Sequence, residues 1–159
     1  MARSLICPHC RRLITDDSRS QDHHRAFFAF MKHCFDSWPE NEAFTPQSAD
    51  HLRQWALVEC GHIAPPMTWA FAHNREHNTI MPFVTQYIAH KVREGRFIWA
   101  HDNGGSLEMI EAASIDWSSL GQRKFNEISS SVFDLMKEHG FDFEEWKSME
   151  RQQKKDSSQ

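Results

Sequence analysis

The stretch Ser18–Trp38, SRSQDHHRAFFAFMKHCFDSW, predicts the first long helix, around which the rest of the chain is arranged. Large apolar residues recur along it at i, i+4, i+7 or i+8, and i+11, which is the spacing of one buried helical face. These residues are Phe27, Met31, Cys34 or Phe35, and Trp38. Because a proline disfavours helix at the residue before it, Pro39 predicts that the helix ends by Trp38.

The leading end of this helix gathers cationic and hydrogen-bonding side chains. A helix N-terminus presents unpaired N–H groups and a partial positive charge, which favour phosphate, so we predict a nucleic-acid-binding tip. The predicted residues are Arg19, Ser20, His24 and Arg25, together with Arg11 and Arg12. Trp69 or Trp99 would stack bases of a single strand. The alternative is a solvated helix end whose charges only improve solubility.

The composition is that of one globular domain: 159 residues, 40% hydrophobic and 25% charged. Twelve Phe and six Trp accompany a single Tyr. Large aromatic residues often lie in interfaces, so we expect a homodimer. The net charge of −4 means that nucleic-acid binding requires a local basic patch. Because neither a membrane span nor a secretory signal is evident, we predict a cytoplasmic protein of the host cell, without a membrane partner.

The periodicity predicts an α+β fold, with four to five helices packed on a small antiparallel sheet. Helices are expected over 18–38, 48–60, 79–94 and 119–139, and a fifth begins at Asp142. Residues 96–112 predict a hairpin, because Asp102-Asn103-Gly104-Gly105 tolerates the positive φ of a tight turn. We further expect a strand over 67–71, an exposed turn over 73–78, and Pro82 in the first turn of the third helix.

The predicted domain organisation has three parts: a Cys-x-x-Cys segment over 1–17, a single α+β domain over 18–150, and a polar tail over 151–159. In the first part, Cys7-Pro8-His9-Cys10 has the spacing of two zinc ligands in a tight turn. We predict a Zn²⁺ site with Cys7, Cys10, Cys60 and His62. A redox motif, or cysteines with no role, are the alternatives.

The residue types of His73-Asn74-x-x-His77 are those of an HNH nuclease, but such a site also requires a ββα-metal frame. The chain contains no H-E-x-x-H, no glycine-rich phosphate loop and no G-x-S-x-G. A zinc-dependent nuclease is therefore the second alternative, and we expect a protein that is not an enzyme.

Four sequence patterns resemble those of an uncharacterised phage and prophage protein family. They are RS…HR-x-FF at 19–28, WPE at 38–40, HLR-x-W at 51–55, and SIDW at 114–117. The resemblance covers about residues 18–140 and leaves the cysteine segment outside it.

The start of the first helix is more distantly similar to that of the NinB (Orf) recombination proteins of lambdoid phages. This resemblance implies a homodimer that binds single-stranded DNA and assists phage recombination, with Arg19, Ser20, His24 and Arg25 as the matching positions. We therefore expect a non-catalytic accessory protein of DNA recombination or replication, which also contacts a host or phage replication protein. The first alternative is a protein-interaction module that inhibits a host defence or a host enzyme.

Overall fold

The structure is a computed structural model that describes residues 5–6, 13–14, 21–116 and 120–157. Its elements, in chain order, are β1 (Leu5–Ile6), β2 (Leu13–Ile14), α1 (Gln21–Asp36), α2 (Ala49–Glu59), β3 (Met67–Ala70), α3 (Asn74–Arg93), β4 (Ile98–Asp102), β5 (Ser106–Glu111), α4 (Gln122–Glu138) and α5 (Phe143–Asp156). The α+β class and the hairpin are confirmed. No helix in the described ranges is long and apolar enough to cross a membrane.

The chain divides into two compact units. The helical unit comprises Met1–Trp38 and Ile115–Gln159, and the sheet unit comprises Pro39–Ser114. The sequence predicts one α+β domain over 18–150, with no boundary at these points. The reason is that helical periodicity shows which face of a helix is buried, but not which other element covers it.

Aromatic side chains form the core of the helical unit. The apolar face predicted for α1 is confirmed at Phe27, Met31 and Cys34, which are buried, whereas Trp38 follows the helix and is half-buried. Phe27 meets Phe125 of α4 edge-to-face at 5.6 Å, the geometry that aromatic quadrupoles favour. Asp142 caps α5 as expected, because its carboxylate accepts the backbone N–H groups of Glu144 and Glu145. Helix α5 continues to Asp156, so the predicted polar tail is helical over 151–156.

The sheet unit is built on the antiparallel order β3-β5-β4, with β5 in the centre. Helix α3 covers one face of this sheet. The core between them contains Val84, Ile98, Leu107 and Met109. The hairpin turn is stabilised by Asn103, whose side-chain oxygen accepts the N–H groups of Gly105 and Ser106. Gly104 has φ +79°, as the turn residues predicted.

Helix α2 has the expected ends. The hydroxyl of Ser48 accepts the N–H of His51, and Gly61 follows the helix with φ +74°. Gln54 joins this helix to the start of β4. Its Oε1 accepts the N–H of Phe97 at 3.2 Å, and its Nε2 lies 3.4 Å from the carbonyl oxygen of Gly95.

The predicted start of α3 is wrong. The exposed turn expected over 73–78 is instead the first part of the helix, which begins at Asn74. Pro82 consequently lies inside α3 rather than in its first turn. Because Pro82 has no backbone N–H, the carbonyl of Asn78 lacks its usual helical hydrogen bond. Both residues are exposed, so water can donate to that carbonyl instead. Phe83 and Tyr87 of α3 are 69% and 38% exposed.

Candidate nucleic-acid interface

The start of α1 separates the predicted tip residues into different environments. Of these residues, the structure describes His24 and Arg25, whereas Arg11, Arg12, Arg19 and Ser20 lie outside the described ranges. Arg25 is exposed to solvent. The ring of His24 is half-buried, 4.7 Å from Phe28 and 5.6 Å from Phe125. His24 is therefore partly a packing residue, and of these two described residues Arg25 is the better placed for a phosphate.

Beside this tip, a cleft of about 510 Å³ lies between α1, α4 and α5. Lys137 and Asp142 form a 2.9 Å ion pair in its wall. The hydrogen bond from Lys137 lowers the pKa of Asp142 and, in return, raises the pKa of Lys137. Asp134 and Glu144 also line the cleft, so its carboxylates outnumber its lysine. Such a charge balance is unfavourable for phosphate.

The predicted zinc ligands are only partly described, since Cys7 and Cys10 lie outside the described ranges. Cys60 is half-buried and follows directly after α2. His62 places Nε2 3.3 Å from the carbonyl oxygen of Ser114. Among the described residues, no group of three or more His, Cys, Asp or Glu side chains has the arrangement of a metal site. The zinc site stays a prediction.

The structure also describes Cys34 of α1 and His77 of the HNH-like motif. Burial raises the pKa of the Cys34 thiol to about 12, which keeps it neutral and unreactive.

His77 of the HNH-like motif places Nε2 2.6 Å from Asp102 Oδ2, and its Nδ1 lies 3.3 Å from Asn78 Oδ1. The hydrogen bonds to Asp102 and Asn78 raise the pKa of His77, and the contact with Asp102 ties α3 to the hairpin.

The sheet face opposite α3 presents a pair of stacked rings. In β4, Trp99 and His101 are two residues apart, so their side chains share one face. Their ring planes are 13° apart and their centroids are separated by 5.5 Å. Both side chains are exposed, Trp99 by 39%. Trp99 was named from the sequence as a stacking residue, but His101 was missed; their alternation in a predicted strand was the available signal.

Three cations precede these rings in the chain: Lys91 and Arg93 in the last turn of α3, and Arg96 before β4. Lys91 lies 3.3 Å from Glu94, and Arg96 lies 2.8 Å from Glu111. Over residues 91–101 the sequence contains these three cations and one carboxylate, although the whole chain carries −4. In sequence, the segment therefore carries a local excess of positive charge, the feature that the composition requires of a nucleic-acid-binding surface.

Comparisons with protein-family models, with curated proteins and with solved structures found no match for this chain. The resemblance to the phage proteins stays an expectation. The features that bear on function are the Trp99–His101 pair, the cations that precede it, and Arg25 at the start of α1.

Proposed function

We propose that the chain binds single-stranded DNA without chemistry, and that the Trp99–His101 pair contacts the bases. The single observation that supports this proposal is the stacking of these two exposed rings on the sheet face opposite α3. An exposed aromatic ring offers a π-surface to any base, and such stacking contributes about 1–3 kcal/mol per base. Exposed aromatic residues on a small antiparallel sheet are also how common RNA-binding domains hold single strands.

Phosphate contacts come from Lys91, Arg93 and Arg96 in this proposal. Three neutralised phosphates on a single strand correspond to a slope of about −2 for log K against log salt. Binding should then weaken about 20-fold between 50 and 200 mM salt. Glu94 and Glu111 compete with phosphate for Lys91 and Arg96, so the proposal does not require a strong affinity for DNA.

The start of α1 provides a second, separately testable phosphate contact through Arg25, with Arg19 six positions earlier in the sequence. A double variant, Arg19→Ala with Arg25→Ala, should lower the affinity and make the salt slope shallower by about one to two units. Together with the phage-like sequence patterns, this binding supports a role as an accessory protein of phage DNA recombination or replication.

The decisive experiment measures fluorescence anisotropy of a labelled oligo(dT) with the full chain at low salt. Trp99→Ala should weaken binding about 5- to 150-fold, which corresponds to one lost stacking contact. Met149→Ala is the control, because Met149 is an exposed apolar side chain of α5 that takes no part in the proposed base contact. Light scattering on each variant separates a change of subunit assembly from a change of base contact.

Two results would overturn the proposal: no binding of the unmodified chain at low salt, or equal affinities for the chain and the Trp99→Ala variant. If no oligonucleotide binds, the protein-interaction module becomes the better hypothesis. Co-purification of one specific host protein with the chain would then support that alternative.

A further inference from the structure

Strand β3 is an edge strand with free hydrogen-bonding groups. In the described residues, β3 pairs with β5 only, and all four of its residues are exposed. The N–H of Phe71 donates to Gly105, directly across the ladder, at 2.9 Å. Bonding alternates in an antiparallel ladder, so Trp69 and Met67 also direct their backbone groups toward β5. The N–H and C=O groups of Thr68 and Ala70 therefore point away from the sheet.

This edge lacks most of the features that prevent pairing with another strand. Natural edges are commonly protected by lysines, bulges or prolines, yet Met67–Ala70 contains no charged residue. Pro65 and Pro66 precede the strand and limit pairing at that end only. The four residues thus form a short, uncharged template for an additional strand.

An apolar surface adjoins the edge on the face that α3 covers. Met67 and Trp69 lie opposite Met109 and Leu107 and share that face, yet 39% and 36% of their surfaces remain exposed. Phe83 lies on the same face of α3 as Glu76 and Tyr87, because these residues are seven and four positions away from it in the helix. Glu76 accepts the N–H of Ala72, which follows β3, and Tyr87 lies 3.5 Å from Glu111 of β5. Phe83 therefore extends over the open side of the sheet.

We propose that β3 pairs with β3 of a second copy of this chain, antiparallel and centred on Trp69. The outward groups of Thr68 and Ala70 are symmetric about Trp69, so each strand is the complement of its own copy. Thr68 would face Ala70 of the partner subunit, and the two such pairs form four backbone hydrogen bonds. Trp69 would face Trp69 of the partner subunit in a non-hydrogen-bonded pair, where cross-strand side chains are closest.

The exposed area is sufficient for such an interface. The exposed parts of Met67, Trp69, Phe83 and Tyr87 amount to roughly 350–400 Å² on the usual areas of these side chains. A standard interface buries about 800 Å² on each partner, so these four supply nearly half, before backbone and neighbouring atoms are added. The two-fold axis is perpendicular to the joined sheet, so both α3 helices lie on one face of it. This inference goes beyond the proposed function, because the Trp99–His101 pair lies on the other face.

The first test uses the unmodified full chain, with analytical ultracentrifugation over a concentration series and amide hydrogen exchange by NMR. We expect a monomer–dimer equilibrium, and exchange of the Thr68 and Ala70 amides should slow at least about tenfold as the dimer fills. A chain that stays monomeric into the high micromolar range would overturn the proposal. A dimer without concentration-dependent protection of these two amides would overturn it as well.

The second test uses Thr68→Pro and Phe83→Glu. The proline removes only an outward N–H, so the ladder with β5 is retained, and the dimer should weaken about 5- to 150-fold as two hydrogen bonds are lost. Met149→Glu is the matched control for Phe83→Glu. Met149 is 48% exposed on α5, so its replacement by glutamate should leave the dimer unchanged. Circular dichroism verifies that each variant is folded. Trp99→Ala should not alter the dimer, which separates this proposal from the DNA-binding one.

Discussion

The side-chain amide of Gln54 provides the sharpest test of how the sheet unit is held together. This residue is buried in α2, accepts the N–H of Phe97 and lies near the carbonyl of Gly95. Gln54→Met keeps the approximate volume but removes both interactions, together with the 2.9 Å hydrogen bond that the Gln54 amide donates to Asp50. A buried donor left without a partner costs about 1–3 kcal/mol, and the 3.4 Å contact to Gly95 adds little, so we expect a loss of about 2 kcal/mol.

The assay is urea denaturation followed by both tryptophan fluorescence and circular dichroism, because two units need not unfold in one step. Gln54→Glu is informative beside it. Its carboxylate still accepts from Phe97, but it faces Asp50, whose Oδ2 now lies 2.9 Å from the Gln54 amide nitrogen. Gln86→Met, at an exposed position of α3, is the control and should change the free energy of unfolding by less than about 0.5 kcal/mol.

A Gln54→Met variant as stable as the unmodified chain would refute this reasoning. It would mean that the N–H of Phe97 finds another acceptor, or that the start of β4 is anchored by something other than the amide. A loss confined to the fluorescence transition, with circular dichroism unchanged, would instead place the effect in local structure around the aromatic residues near Phe97.

Three further predictions concern the core, pH and metal. Phe27→Ala should lower the free energy of unfolding by about 3–5 kcal/mol in urea titrations, because Phe27 is fully buried among other rings. Hydrogen bonding to Asp102 raises the pKa of His77, and the N–H of Gly104 and then His77 lower that of Asp102. The stability that His77 contributes is therefore complete below its ordinary pKa of 6.5 and is lost as pH rises through the raised pKa. The stability that Asp102 contributes is lost only in acid. The free energy of unfolding should therefore differ more between the unmodified chain and His77→Gln at pH 5 than at pH 9. Elemental analysis should find about one zinc per chain, and none in a Cys7→Ser, Cys10→Ser variant; zinc absent from the unmodified protein would exclude the site.

The parts of the fold that follow from local chemistry were predictable. Ser48 and Gly61 bound α2 through capping and positive φ, and Asn103 and Gly104 form the hairpin turn. The start of α3 was not predictable, because His73–Asn78 has no apolar periodicity. In the structure, this segment is helical and makes hydrogen bonds to residues outside α3: Glu76 accepts the N–H of Ala72, and His77 contacts Asp102.

The candidate interface was predictable to a similar degree. Trp99 was identifiable as an aromatic residue of a hairpin strand, and its alternation with His101 was the available signal for the second ring, whose stacking only the structure shows. His24 was expected to face a ligand, but its ring lies against Phe28. Phe83 and Tyr87 fit the apolar stripe of α3 and are exposed nonetheless. Helical periodicity does not show how wide the sheet beneath the helix is, and in the described ranges that sheet has three strands.

The division of the chain has a consequence for the order of folding. The sheet unit is one continuous segment, whereas the helical unit is assembled from the two ends of the chain. The contact between Phe27 and Phe125 closes a loop of about 100 residues, and the length-dependent part of this closure entropy is on the order of 4 kcal/mol. If the inserted segment folds first, it shortens that loop. We therefore expect the sheet unit to form early, even on the ribosome, and the helical unit to wait for the C-terminal helices.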